Sequence, residues 1–429
     1  MSTASPAPAA QAAPSLLRTA GASYFPIAFI ARFPFAMIVV GTLTLVVAAR
    51  ESIALGGLNS AVVGLGSALV GPLLGAAADR IGQRPVLLLS GIVNSLGLLA
   101  MAAVAFSDLP DWTVLVTGFV IGASSPQIGP FSRSRLVQLI LARPSSAQRA
   151  RSMNATMGYE SAVDETAFVF GPVVVGLLAT TLNPAAPMIA AAVLTLIFVT
   201  AFALHPTARA AAPERGAEQP VAQAPARELF SLRVLVLVAG ALGVGLFFGS
   251  VLTSLTAFLS ESGRGDSAGL IYGVMGVGST ILALSMALFP ERFALWARWL
   301  VFSGLMLAAM IAFGAADGLG GIVAAMAVAG IGVGPTVVTL FSLAAERSPL
   351  GRSATVMTMI GSATIVGQSA ASALTGAVAE GAGTSAAIAL PALAAATVVL
   401  AALVNAIACR RPTVPAEPEA LAEVPAVQH

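Results

Sequence analysis

Runs of apolar residues alternate with short polar segments along most of the chain. A helix needs about 20 apolar residues to cross the roughly 30 Å hydrocarbon core of a bilayer. Twelve stretches meet that requirement, and they lie near residues 25–49, 53–78, 85–106, 112–140, 154–181, 186–204, 232–259, 267–289, 295–315, 319–344, 353–379 and 384–408. The pattern predicts an all-α membrane protein with twelve transmembrane helices, numbered here as spans 1 to 12.

One polar segment is much longer than the others. Residues 205–231 are rich in Pro, Ala and charged residues, a composition typical of a flexible linker. This segment separates six spans at residues 25–204 from six at 232–408, leaving a disordered N-terminus at 1–24 and a tail at 409–429. An Arg-Ser pair precedes both span 5 and span 11, and Gly176 matches Gly376. We therefore expect two pseudo-symmetric six-helix halves joined by a linker.

The composition excludes several classes of protein. Hydrophobic residues make up 57% of the chain and charged residues 9%, whereas a soluble domain carries roughly 25% charged residues. Net charge is only +2, and no basic run with interleaved aromatic residues predicts nucleic-acid binding. The single cysteine, Cys409, excludes an intramolecular disulfide and a Cys-based metal site. With no metal-ligand cluster and no nucleophile–base pair in the sequence, we expect neither a cofactor nor an enzyme.

The basic residues indicate how the spans are oriented. All 21 are arginines, and most fall in the connections that lie on one side of the membrane if the N-terminus is cytoplasmic. Such a bias follows the positive-inside rule. The first apolar run is also too long for a signal-peptide core of about 7–15 residues. We expect a multi-pass protein of the cell membrane with both termini in the cytoplasm.

A charged motif lies between spans 2 and 3. The segment GAAADRIGQR contains Gly75, Asp79, Arg80, Gly82 and Arg84. Gly82 can adopt the positive φ of a tight turn, and the arginines give the turn positive charge. Asp79 is unusual, because an acid at the end of its own helix opposes the helix dipole. Its position is favourable if it faces the N-terminus of another helix or an arginine.

This motif resembles the signature loop of the major facilitator superfamily, whose two six-helix halves match the predicted spans along nearly the whole chain. The resemblance implies rocker-switch alternating access, with this aspartate joining the halves on the cytoplasmic side. Asp79 would then meet the start of span 11 near Arg352 and Ser353, with help from Arg135 on span 4. The corresponding turn of the second half, LFPERFALWARW, lacks the motif.

Span 5 contains three acidic residues, Glu160, Asp164 and Glu165. At about 100° per residue, Glu160 and Asp164 share a face and Glu165 lies on another. Asp164 and Glu165 are roughly 15 Å deep, while Arg32 and Arg133 lie near the layer of Glu160. Acids within a membrane are candidate functional groups. Three interpretations stay open: proton coupling by Asp164 or Glu165, a static salt-bridge cluster, and recognition of a cationic substrate.

The end of span 5 resembles the antiporter signature of the same superfamily through Gly171, Pro172 and Gly176, although a simple Gly-Pro bend gives the same pattern. Prolines in spans 4 and 10 predict hinges. Four polar side chains are candidates for a substrate cavity, or else tie helices together: Gln127, Thr336, Thr339 and Gln368.

The sequence as a whole predicts a secondary transporter. We expect proton-coupled export of a small hydrophobic molecule, such as a drug or a metabolite, by a monomer in the lipid bilayer. An alternative is a proton symporter that imports a sugar, an organic acid or another nutrient. An alternative of another class is a membrane sensor or scaffold that transports nothing.

Overall fold

A computed structural model describes residues 19–141, 146–210, 223–261, 268–290, 292–316 and 318–409. Within these ranges the chain is helical and contains no strand. The α-helices are α1 (Tyr24–Ile30), α2 (Phe33–Arg50), α3 (Ile53–Ile81), α4 (Gln83–Val104), α5 (Asp111–Ala123), α6 (Ile128–Leu141), α7 (Ser146–Thr181), α8 (Ala186–Leu194), α9 (Thr200–Leu204), α10 (Thr207–Ala210), α11 (Leu232–Glu261), α12 (Ala268–Ser285), α13 (Leu295–Gly314), α14 (Leu319–Arg347), α15 (Ser353–Ala382) and α16 (Thr384–Cys409). A π-helical turn, Thr195–Val199, joins α8 to α9, and 3-10 turns occur at Ala226–Phe230 and Met286–Leu288.

Ten helical segments in the described part of the chain are long and apolar enough to cross a membrane. The predicted spans 8 and 11 are not among them. In α12 the apolar part is shorter, at Ile271–Ser285. Although α15 has 30 residues, many of them are Ser, Thr, Ala and Gly. The prediction of an all-helical, multi-pass membrane protein is confirmed, and the count of twelve spans stays a prediction.

Two predicted spans are interrupted by a non-helical break between two α-helices, whereas span 6 continues from α8 to α9 through the π-helical turn. Span 1 breaks between α1 and α2, where the N–H of Arg32 donates to the carbonyl of Phe29 instead of that of Ala28. Span 4 breaks between α5 and α6 at residues 124–127, because Pro126 has no N–H and disfavours a helical conformation in the residue before it. A hinge was also expected at Pro335 in span 10, but α14 continues through it as one helix.

The predicted termini and linker fall largely beyond the described ranges. Residues 1–18, 211–222 and 410–429 lie outside them. The helix that contains span 5, α7, starts at Ser146, but its membrane-crossing part, Ala155–Thr181, agrees with the predicted 154–181.

Backbone packing at glycines holds each half together. A Cβ at Gly122 of α5 would lie 1.9 Å from the carbonyl oxygen of Val63 in α3. In the second half, a Cβ at Gly334 of α14 would lie 2.2 Å from the carbonyl oxygen of Ser279 in α12. Close approach through small residues is the usual way for helices to associate in lipid. The two pairs correspond to spans 2 and 4 and to spans 8 and 10, as expected for a repeat.

The halves meet mainly through α3 against α15 and α7 against α12 and α14. A Cβ at Gly75 would lie 2.1 Å from Oγ1 of Thr358, and one at Gly158 would lie 2.2 Å from the carbonyl oxygen of Ala283. Gly75 lies near the end of the bundle that carries Asp79. Gly158 lies on the same side of the membrane midplane as Asp79. We call this end the motif end, and the structure is closed there.

Candidate functional site

The carboxylate of Asp79 caps the N-terminus of a helix from the other half. Its Oδ1 accepts a hydrogen bond from the N–H of Ala354 at 2.9 Å, and its Oδ2 accepts from the N–H of Thr355 at 2.7 Å and from its hydroxyl at 2.6 Å. The N-cap residue of α15 is Arg352, which makes no capping hydrogen bond with its side chain. Asp79 therefore supplies a charge and acceptors that the first turn of α15 lacks. The contact with the N-terminus of α15 offsets the unfavourable interaction of Asp79 with the dipole of its own helix.

Two glycines of the motif shape the contact between the halves and the turn that follows α3. Gly75 allows α3 to approach α15, since any side chain would collide with Thr358. Gly82 has φ of +86° and forms the turn between α3 and α4. Arg80 and Arg84 are exposed.

Arg135 does not bind Asp79, contrary to expectation. It is fully buried, and its guanidinium donates to Oε1 of Gln83 at 3.0 Å, to the carbonyl of Phe202 at 3.0 Å and to Oγ1 of Thr207 at 3.1 Å. It also lies 4.0 Å from the centre of the Phe202 ring. Gln83 is part of the turn in the motif, so Arg135 braces that turn from within its own half.

The acids and arginines of the first half form one buried cluster. Arg32 donates through Nε to Oδ1 of Asp164 at 2.6 Å, and its Nη2 bonds Oε2 of Glu160. Arg133 donates through Nη1 to Oδ2 of Asp164 at 2.7 Å. The break in span 1 helps to place Arg32, because its Nη1 also satisfies the carbonyl of Ala28 at 2.6 Å. Broken helices at membrane depth commonly accompany buried polar sites.

The pairing differs from the expected one. The sequence placed Arg32 and Arg133 near the layer of Glu160, but in the structure both arginines bind Asp164. Glu160 is held by Arg32 alone among the arginines, and no ion pair joins Glu160 to Arg133 in the described structure. The side chain of Glu165 lies outside what the structure describes. Two arginines therefore balance two acids.

A polar chain that sequence reasoning missed leads away from Glu160. The hydroxyl of Ser132 donates to Oε1 of Glu160 at 2.9 Å, and the hydroxyl of Tyr24 lies 2.6 Å from Oγ of Ser132. Both residues are fully buried. The sequence gives one indication of where Ser132 lies, because Ser132 directly precedes Arg133, a predicted member of the buried cluster.

The cluster touches the second half through Arg133. The guanidinium carbon lies 3.8 Å from the ring centre of Phe341 in α14, a cation–π geometry. Asp164 is 23% exposed while Glu160 and Arg133 are almost completely buried. Its carboxylate lies against Gly129, where a Cβ would be 3.0 Å from either oxygen. Asp164 is thus less buried than Glu160, the other acid that the structure describes in the cluster, and it holds the arginine that contacts the other half.

The Gly-Pro segment of α7 packs within its own half. A Cβ at Gly171 would lie 2.7 Å from Cβ of Ala36 in α2, and one at Gly176 would meet nothing within 4 Å. The side chain of Pro172 lies outside what the structure describes, and α7 is continuous through that position. Gly171 therefore brings α7 close to α2, whereas Gly158 brings it close to the other half.

The four candidate cavity residues differ in exposure. Thr336 and Thr339 are fully buried and donate to carbonyls of their own helix, so neither faces a cavity in this conformation. Gln127 is 5% exposed and donates to Oγ of Ser67 at 3.2 Å. Gln368 is half-buried. The polar contacts of the first three fit a structural role.

A helical bundle whose two halves meet over a buried charge cluster is typical of membrane transporters, and the family match assigns the chain to the transporters and not to the enzymes. The family model described as Major Facilitator Superfamily matches residues 24–372, and the chain belongs to that family. The human organic anion transporter MFSD10 (TETRAN) has a similar structure, with a TM-score of 0.66 at 19% identity over 91% of this chain and 100% of its own. A bacterial homologue of the iron transporter ferroportin, solved in an outward-facing state, gives 0.69 at 17% identity over 91% and 99%. No curated protein sequence matches the chain.

Proposed function

We propose that this protein is a secondary active transporter that exports a small hydrophobic molecule in exchange for protons. In this proposal the motif end faces the cytoplasm, and the contact between the halves there shuts the cytoplasmic side. The observation that carries the proposal is Asp164, a partly exposed acid that binds Arg32 and Arg133 while Arg133 stacks on Phe341 of the other half.

Protonation of Asp164 would change the contact between the halves. A neutral Asp164 leaves Arg133 without an ionic partner, because Glu160 still pairs with Arg32. A buried charge without a partner is strongly unfavourable. Arg133 would then leave its place over Phe341. An external proton reaching Asp164 thus favours substrate release and the switch to the inward-facing state, and loss of the proton to the cytoplasm resets the carrier.

A proteoliposome assay with an imposed pH gradient tests this function. Ethidium and uncharged lipophilic dyes serve as probes, and the parent is compared with Asp164→Asn and Glu165→Gln. We expect Asp164→Asn to abolish gradient-driven accumulation while dye exchange without a gradient continues. If both variants retain gradient-driven transport, the coupling proposal fails.

The direction of proton flow separates the proposal from its alternative. A pH-sensitive dye inside the vesicles reports whether substrate and protons cross in opposite or equal directions. Opposite directions support export by antiport, and equal directions indicate a symporter that imports a nutrient.

A further inference from the structure

The end of the linker lies across the seam between the two halves at the motif end. Nε2 of Gln223 donates to the backbone carbonyl of Asp79 at 2.8 Å. The N–H of Ala224 donates to the carbonyl of Leu350 at 3.0 Å, and Nε of Arg352 donates to the carbonyl of Ala224 at 2.5 Å. Asp79 belongs to the first half, whereas Leu350 and Arg352 belong to the second. Two consecutive residues therefore bind both halves at once.

The local chain is shaped for this position. Pro225 has φ of −53° and ψ of 143°, and a residue that precedes proline favours extended conformations. Such a segment loses less conformational entropy when it is held against a surface. On the opposite side, Gly351 has φ of +69°, and a Cβ there would lie 3.0 Å from Cγ of Gln223. Glycine at 351 thus provides both the turn and the space that Gln223 needs.

We propose that Gln223, Ala224 and Pro225 form a strap that helps to close the motif end. The strap acts there together with the Asp79 cap and the close packing at Gly75. Asp79 is held at two places, because its side chain caps α15 while its own carbonyl accepts from the strap. When the halves separate at this end, the strap must release either Asp79 or the Leu350–Arg352 turn. It therefore stabilises the closed state, and Gln223 acts as a positioning residue of the gate. This inference goes beyond the proposed function and does not depend on proton coupling.

Backbone hydrogen exchange on the full-length protein can test the strap directly. The amides of Ala354 and Thr355 lie in the first turn of α15, where no intrahelical acceptor exists. Their protection comes from the carboxylate of Asp79, so their exchange reports opening of the gate. Gln223→Ala removes one hydrogen bond across the seam without changing the backbone of the strap.

We expect Gln223→Ala to speed exchange at Ala354 and Thr355 about twofold to tenfold, the change that loss of one hydrogen bond produces. Gln223→Glu, which keeps the length but loses the donor, should act in the same direction. Arg227→Ala is the matched control, since Arg227 is exposed and follows the strap by two residues.

Unchanged exchange at Ala354 and Thr355 in both Gln223 variants would overturn the proposal. So would an equal increase in Arg227→Ala. Exchange in α16, which makes none of the strap's hydrogen bonds, verifies that each variant is folded. Because the measurement needs neither substrate nor a pH gradient, its outcome is separate from that of the transport assay.

Discussion

Replacing Asp79 by asparagine should open the motif end. The amide keeps one acceptor oxygen, which can serve the N–H of Ala354, but it presents an NH₂ group where Oδ2 accepted two hydrogen bonds from Thr355. The negative charge at the N-terminus of α15 also disappears. The substitution therefore removes a charge-assisted interaction and a helix-dipole interaction together.

The size of the effect follows from these two losses. A hydrogen bond to a charged group contributes about 1.5–3 kcal/mol, and a charge at a helix terminus about 0.3–1 kcal/mol. Together they amount to about 2–4 kcal/mol of stabilisation of the closed state. Because every 1.4 kcal/mol is tenfold, the ratio of closed to open protein should fall by about 30-fold to several hundredfold.

Alkylation of a cysteine at Thr358 can measure this shift. Thr358 is fully buried and faces Gly75 in the seam, so Thr358→Cys, made with Cys409→Ser, reacts only when the motif end opens. Asp79→Asn should raise the alkylation rate strongly, and Arg84→Gln, which changes an exposed arginine of the same motif, should not. Equal rates in the parent and in Asp79→Asn would refute the assignment of Asp79 to the gate.

Three further predictions concern packing, charge and pH. Gly75→Val should prevent closure and raise the same alkylation rate at least tenfold, whereas Gly57→Val on the same helix, with open space around its Cβ, should have little effect. Arg32→Ala leaves the buried Glu160 without its arginine and should lower the free energy of unfolding by about 3–5 kcal/mol in denaturant or thermal unfolding. Asp111→Ala, which removes the exposed acid of the pair with Arg50, should lower it by at most about 1 kcal/mol. Burial and a neighbouring arginine lower the pKa of His205. Since the unfolded chain then binds more protons, the parent should lose stability relative to His205→Gln as pH falls through about 6.5, and a pH-independent difference would contradict this.

The charge cluster connects the acids of the first half to a side chain of the second half. Arg133 is bound on one side by Asp164 and contacts Phe341 on the other. In the proposed function, a change in the charge of Asp164 therefore acts directly at the contact between Arg133 and Phe341. The proposed strap and the Asp79 cap lie at the motif end, so the charge cluster and the proposed gate are distinct parts of the interface between the halves.

The sequence alone determined the class of this protein, because apolar length, arginine bias and the Gly75–Arg84 motif are one-dimensional signals. It also placed Arg32, Arg133 and Glu160 in one layer, since the rise per residue sets depth in a helix. Which acid meets which arginine depends on lateral packing and on the breaks in spans 1 and 4, and the sequence contains no measure of either. Pro126 and Pro335 both lie within predicted spans, yet span 4 breaks at Pro126 and span 10 continues through Pro335 as one helix. The strap likewise depends on Gln223 meeting Asp79, 144 residues away along the chain, which only the tertiary structure brings about.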